Sequence, residues 1–344
     1  MKKRNVLGLM YAFVHFIVEV SCFYILSSYN DSDYIWIIGL MYDCLAFVPQ
    51  GFYGFLYDRN IKVNFGILGT VLTTASIIMF GCSLNPIAVV FFLTAGNAMI
   101  HLHAAELTLR GSEGKMSPAA VFVSGGSFGV ITGKLFAQFG VPLLFILILN
   151  VVSIVPILVS ATFKDQYKDE NLKQYNYSRK NIKGTSIVLL ATLVVAVRAY
   201  MGYGIPTSWN KTIVQNVALF VCMGIGKAMG GILIDKIGIR KTAFISTIGA
   251  LPLLMFGNNI MSLSLIGIML FSMTMAITLA LIVSELHEAP GVAFGFTTTG
   301  LFIGSLPVFF FRIHSILANC IMVSVLSLLC IVILSKICRK EDVK

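Results

Sequence analysis

Apolar runs long enough to cross a bilayer follow one another along almost the whole chain, with only a few polar residues between most of them. A spanning helix needs roughly 20 mainly apolar residues, since each advances the chain about 1.5 Å through a hydrocarbon layer about 30 Å thick. Twelve runs qualify, over 5–27, 34–57, 64–82, 87–107, 117–139, 141–162, 187–208, 212–234, 242–258, 260–284, 291–311 and 315–336. In lipid every backbone polar group must find its partner within the protein, so runs of this length are expected as helices. The fold class that follows is an all-α integral membrane protein with 12 transmembrane helices. Composition points the same way: 57% hydrophobic residues, 12% charged ones and a mean hydropathy of +0.89 are far from a soluble domain.

Charge sets the expected orientation. Lys2, Lys3, Arg4, Arg59, Lys62, Arg110, Lys115, Lys236, Arg240, Lys241 and the tail from Lys336 to Lys344 fall on one side of the alternating spans. The other side carries Asp31, Asp33, Lys211, Arg312 and His314. By the positive-inside rule both termini are expected to be cytoplasmic, in a membrane read as a bacterial plasma membrane. The net charge of +10 comes from such short clusters and not from one continuous face, so no nucleic-acid partner is expected. The first run contains His15 and Glu19 and is followed by no small-residue cleavage site, so it reads as a retained helix and not as a signal peptide. Cys22, Cys44, Cys82, Cys222, Cys320, Cys330 and Cys338 show no metal-like spacing and read as small core residues. The one long polar stretch, 163–186, reads as a cytoplasmic linker between an N-terminal six-helix bundle, 1–162, and a C-terminal one, 187–344.

A short signature occurs twice at an offset of 177 residues. The first copy is Gly54-Phe-Leu-Tyr-Asp58-Arg59; the second is Gly231-Ile-Leu-Ile-Asp235-Lys236-Ile-Gly238-Ile-Arg240-Lys241. Recurrence at half the chain length indicates an internal repeat, the usual construction of membrane transporters. Six plus six helices, a central polar loop and this signature after the second and eighth spans resemble the major facilitator superfamily over essentially the whole chain. The first copy has Ile61 where the family usually has glycine. The resemblance implies that Asp58, Arg59, Arg110, Asp235, Lys236 and Arg240 form a gating network on the cytoplasmic side. The aspartates are expected to meet helix N-termini or arginines there.

A narrower likeness lies in the fourth and fifth spans. Gly96-Asn97-Ala98-Met-Ile-His101-Leu-His103, followed by Gly125-Gly126-Ser-Phe-Gly129-Val-Ile-Thr-Gly133, is similar to the corresponding helices of fosmidomycin-resistance-type drug exporters. That group also carries a histidine and an acid in its first helix, as His15 and Glu19 do, and an arginine in its seventh, as Arg198 does. Leu102 and Lys134 stand where the group has prolines. Independently of family, Gly125, Gly129 and Gly133 form a smooth helix stripe that another helix can approach closely, as do Gly300 and Gly304 in the eleventh span.

An ionisable group at membrane depth costs at least about 2.5 to 3.5 kcal/mol, so each one asks for a partner or a cavity. His15, Glu19, Asp43, His101 and Arg198 count to mid-span and are the expected substrate-binding and proton-coupling residues. Spans 1, 4, 7 and 10 are expected to line a central cavity, with Glu19 and Arg198 facing each other across it. Glu106 and Arg110, four apart, read as a structural pair, and Lys227 as a side chain snorkelling towards the cytoplasm. The function expected is secondary active transport of a small organic solute, anionic or drug-like, by proton-coupled export with alternating access. The alternative is a divalent metal transporter with His15, Glu19, Asp43, His101 and His103 as ligands. No enzymatic signature is present. The partners expected are a small-molecule substrate, protons and the lipid bilayer around a monomer, with no resident cofactor.

Overall fold

A computed structural model describes residues 2–30, 34–59, 63–311 and 313–339, excluding the Lys164 side chain. The expected features at Asp31, Asp33, Ile61, Lys62, Arg312 and 340–344 lie outside these residues. Eleven helices are long and apolar enough to cross a membrane, and a shorter apolar one completes the set of twelve. In chain order they are α1 (Lys3–Ser28), α2 (Ile35–Asp58), α3 (Phe65–Gly81), α4 (Pro86–Arg110), α5 (Ser117–Gln138), α6 (Leu143–Phe163), α7 (Gly184–Gly204), α8 (Ile213–Ile237), α9 (Ile239–Phe256), α10 (Met261–Glu285), α11 (Pro290–Phe309) and α12 (Ile316–Ile337).

Local chemistry explains most ends. Asn64, Asn85 and Ser315 accept the first free backbone N–H groups of α3, α4 and α12, and Thr212 with Gln215 forms a reciprocal cap on α8. Helix α4 continues to Arg110 because the Glu106–Arg110 pair is folded into its last turn. Helix α8 runs through Asp235 and stops at Gly238, whose φ of +87° is open to glycine at no steric cost. Helix α6 breaks at Ser153, three residues before Pro156, and α2 at Val48, just before Pro49. Near the middle of α9, Ile245–Gly249 widen into a π-helical turn shortly before Pro252, which cannot donate to Ile248.

Two glycine seams hold the helices together. Gly125, Gly129 and Gly133 of α5 press on the backbone of α1 so closely that an added Cβ would lie 2.1 Å from the Ala12 oxygen, 2.4 Å from that of Phe16 and 2.5 Å from that of Val20. Gly300 and Gly304 of α11 lie in the same way on α7, at 3.1 Å from Thr192 O and 2.1 Å from Ala196 O. Helices α5 and α11, and likewise α1 and α7, stand six spans apart, so the seam itself is repeated. A second face of α5 packs on α8, where Gly231 meets Met116 and Ala120, while α11 packs on α2, where Gly291 meets Gly54. The stripe on α5 therefore serves α1 and not the opposite set of helices.

The 163–186 stretch is folded down as a strap. Buried Tyr175 shares a short hydrogen bond with Ser112 and donates to Leu109 O at 3.1 Å. Tyr177 donates to Gly114 O at 2.8 Å and to Asp235 at 3.2 Å, and its backbone N–H donates to Ser284 at 3.0 Å. Ser178 bridges to Cys338, and Arg179 N donates to Ile337 O at 3.0 Å. Burial and the neighbouring Asp235 hold the Tyr177 hydroxyl well above its ordinary pKa, so it remains a donor. Together with the 2.7 Å Arg4–Glu113 pair, these contacts put the strap, the start of α1 and the end of α12 on one side of the helix array.

Candidate functional site

Three of the five ionisable groups expected at mid-span converge. His15 and Glu19 share one face of α1, four residues apart, and His101 projects from α4 to meet them. The two imidazoles touch through their Nε2 atoms at 2.6 Å, with ring centroids 4.2 Å apart. Glu19 Oε1 lies 3.4 Å from His101 Nε2 and 3.8 Å from His15 Nε2. All three are buried. Helix α5 brings its Gly126 against His15, where a Cβ would come within 2.3 Å of Nε2, so this glycine makes room for the ring.

Hydrogen bonding dictates where the protons sit. His15 Nδ1 faces Phe122 O at 3.0 Å and His101 Nδ1 faces Asn97 O at 2.9 Å. A carbonyl oxygen only accepts, so both Nδ1 atoms carry hydrogen. Two neutral rings so arranged would turn bare lone pairs on each other across 2.6 Å. One additional proton between the two Nε2 atoms converts that repulsion into a hydrogen bond, and Glu19 is placed to balance its charge.

Asn97 and Tyr42 complete the site, and the sequence reading did not single them out as site residues. The Asn97 amide donates to Glu19 at 3.2 Å and to Tyr42 Oη at 2.8 Å, while Tyr42 donates to Glu19 at 3.4 Å. Asn97 stands four residues before His101, one helical turn away, so helical spacing alone could have found it.

The remaining expected residues lie elsewhere. Asp43 sits half-buried on α2 against Ser305 of α11, outside the cluster. His103, two residues from His101, points the other way, its nitrogens 3.1 Å from Tyr11 Oη and 3.0 Å from Tyr57 Oη. The five-residue metal set thus reduces to His15, Glu19 and His101, whose donor atoms fit within 4.8 Å. Two nitrogens bound to one tetrahedral ion at about 2.1 Å each would stand about 3.4 Å apart. The observed 2.6 Å suits a shared proton and not a shared metal.

Arg198 does not face Glu19. Its guanidinium stacks on Phe271, 3.5 Å from the ring centroid, and donates to Phe271 O at 2.6 Å and Ser246 O at 3.3 Å. Ser246 lies in the π-helical turn of α9, where a widened ladder makes a carbonyl available to a side chain. Arg198→Ala is accordingly expected to lower thermal stability by about 2 to 4 kcal/mol, through lost cation–carbonyl bonds and ring stacking. Ligand-free melting of the purified variant checks this, and an unchanged midpoint contradicts it.

The repeated signature meets helix N-termini across the helix array. Asp58 accepts from the backbone N–H groups of Gly291 and Val292, at 3.1 and 2.9 Å, at the start of α11. Asp235 accepts from those of Met116 and Ser117, both at 2.9 Å, at the start of α5. A carboxylate there satisfies otherwise orphaned donors and complements the positive end of the helix. Arg110 joins them, paired with Glu106 and Asp169 and 3.9 Å from Asp58. Arg59 and Lys236 are exposed and outside this network; Arg59 lies over the Phe55 ring, and Arg240 lies 5.7 Å from the centroid of Phe244.

A void of about 10 Å³, room for roughly one water, lies between α5, α8, α10 and α11 and is lined by Ala120, Val123, Lys227, Met275, Ala276, Leu279, Phe294 and Thr297. The glycine seams draw α1 against α5 and α7 against α11.

No protein-family model matches this sequence, and no curated protein matches it either. Solved structures do. The human organic anion transporter MFSD10 (TETRAN) superposes with a TM-score of 0.67 at 14% identity, over 96% of this chain and 99% of that one. The E. coli fucose:proton symporter FucP, in its outward conformation, gives 0.62 at 15% identity over 96% and 98%. A bacterial homologue of the iron transporter ferroportin, outward-facing, gives 0.61 at 13% identity over 98% and 99%. With its twelve helices, this chain is an integral membrane protein of the major facilitator fold.

Proposed function

We propose that the chain is a secondary active transporter that moves a small organic solute by alternating access and couples that movement to protons at His15, Glu19 and His101. The observation that carries this reading is the 2.6 Å contact between the two Nε2 atoms, which calls for a proton at a buried site beside a carboxylate. A group that gains and loses one proton in mid-membrane is what coupling requires, because protonation then changes the charge that must cross the barrier. The structures of the organic anion transporter MFSD10 and of the fucose:proton symporter FucP share this fold, which supports the reading. Export is the direction suggested by the likeness of α4 and α5 to the fosmidomycin-resistance-type exporters. The ferroportin homologue raises metal transport, but the nitrogen separation argues against it. Proteoliposomes loaded with a pH-sensitive dye test the reading: solute added under an imposed pH gradient should move protons at a rate that follows solute flux. Flux indifferent to the gradient would refute it.

In this reading residues 1–162 and 187–344 rock against each other as a monomer in the plasma membrane, joined by 163–186 on the cytoplasmic side. Asp58 and Asp235 then latch that side shut. Asp58→Ala or Asp235→Ala should leave membrane insertion intact and slow turnover about five- to thirtyfold, as expected if each cap is worth about 1 to 2 kcal/mol. Initial-rate assays at equal expression decide this, and wild-type rates in both variants would reduce the signature to topogenic charge.

A further inference from the structure

The strap changes sides within two residues. Up to Tyr175 its contacts are with the N-terminal helices. Asp169 pairs with Arg110 at the end of α4, the Asn171 amide donates to Arg110 O at 2.9 Å, and the buried Tyr175 is held by Ser112 and Leu109 O. From Tyr177 onwards the backbone belongs to the C-terminal ones. Tyr177 N–H donates to Ser284 of α10 at 3.0 Å, and Ser178 shares a short hydrogen bond with Glu285. Arg339 N donates to Tyr177 O at 2.9 Å and Arg179 N to Ile337 O at 3.0 Å, which pairs the strap with the end of α12. Only Asn176 separates the two anchorages. The Tyr177 hydroxyl reaches back over the join, to Gly114 O ahead of α5 and to Asp235 of α8, with one hydrogen for two acceptors in opposite halves.

We propose that the strap is a short tether, which must let go of one half before the cytoplasmic side can open. The tether follows from chain geometry, whereas the motion it restrains belongs to the transport reading, on which this proposal rests. Two residues of fully extended chain reach at most about 7 Å. A site for a small organic solute encloses about 300 Å³ or more, so a passage to it is about 7 Å across. With Tyr175 and Tyr177 both docked, a link of that total length cannot stretch by that amount. The caps at Asp58 and Asp235 oppose opening with an energy, and the strap opposes it with a maximum distance. Undocking is therefore a required step. Releasing Tyr175 gives up its bonds to Ser112 and Leu109 O, and two such bonds hold back the open population about ten- to a hundredfold.

Lengthening the link removes the restraint without removing a contact. A Gly-Ser insert of about six residues after Asn176 adds about 13 Å of reach. The same insert after Lys180 lies between the α12 pairing and α7, within one half, and is the control. Spin labels at exposed Lys3 of α1 and Glu288 between α10 and α11 report the cytoplasmic separation by pulsed resonance in nanodiscs. The insert after Asn176 should raise the long-distance population about tenfold or more, and the insert after Lys180 should leave it at the wild-type level. Tyr175→Phe, which loosens the N-terminal anchorage, should raise it about three- to tenfold in the native strap and add nothing in the lengthened one. An unchanged distribution after the Asn176 insert, or equal shifts from both inserts, overturns the proposal. A freed cytoplasmic side without solute flux in proteoliposomes upholds it and removes the transport reading instead.

Discussion

Glu19→Gln is expected to abolish pH-gradient-driven accumulation while leaving solute exchange without a gradient within a few-fold of wild type. Glutamine keeps the shape of the side chain and can still accept from Asn97 and Tyr42, so the site should stay folded. What disappears is the negative charge 3.4 Å from His101 Nε2. At that separation, in a partly screened interior, the attraction is on the order of a few kcal/mol, enough to change proton occupancy of the imidazole pair about a hundredfold or more. The pair then loses its proton over the working pH range, and the solute moves without it. Counterflow and gradient-driven uptake measured on the same liposomes distinguish the two activities. Gradient-driven uptake at the wild-type level in Glu19→Gln would show that the carboxylate is structural.

Gly125→Val should have the largest effect on folding. The new side chain would start 2.1 Å from the Ala12 oxygen and 3.0 Å from its Cα, and backbone cannot rotate aside as a side chain can. Helices α1 and α5 would have to separate along the whole seam, displacing His15 and Glu19 from His101. Overpacking typically costs about 1 to 3 kcal/mol, and backbone contact puts this case at or above the upper end. Gly202→Ala is the matched control, because a Cβ there meets nothing within 4 Å, and in the last turn of α7 the exchange should be neutral or stabilising by up to about 1 kcal/mol. Monodispersity and melting temperature in detergent compare the two. Equal behaviour of both variants would mean that the seam yields.

Where the apolar helices run was legible from sequence, and how each helix is rotated was not. The apolar runs came within a few residues of the observed helices, since hydrocarbon thickness sets their length. His15, Glu19 and His101, which the structure brings together, were singled out because ionisable groups stand out against an apolar background. Rotation needs a contrast between two helix faces, and lipid and core are equally apolar. Arg198 is buried in α7, which turns it towards α9 and α10. Lys227 errs in the opposite sense: read as facing water at the membrane surface, it lies inside. Asp58 and Asp235 were readable because a carboxylate at the end of one helix needs donors, and the start of another helix supplies them. The strap was harder, since its partners, Ser112, Gly114 and Ser284, are ordinary polar residues that nothing local marks as docking points.

Helix α5 touches α1 on one face and α8 on the other, and the two contacts differ in mechanical character. Against α1 it is backbone on backbone at Gly125, Gly129 and Gly133, a seam without slack. Against α8 the joint is graded: Gly231 meets the Met116 backbone beside the strap, whereas Gly224, near mid-length of α8, meets the ring of Phe128. A beam clamped along one edge and cushioned progressively along the other bends where the cushion is soft. Spin labels should therefore report a constant α1–α5 distance through the cycle and an α5–α8 distance that broadens from the strap end outwards, the strap end parting last.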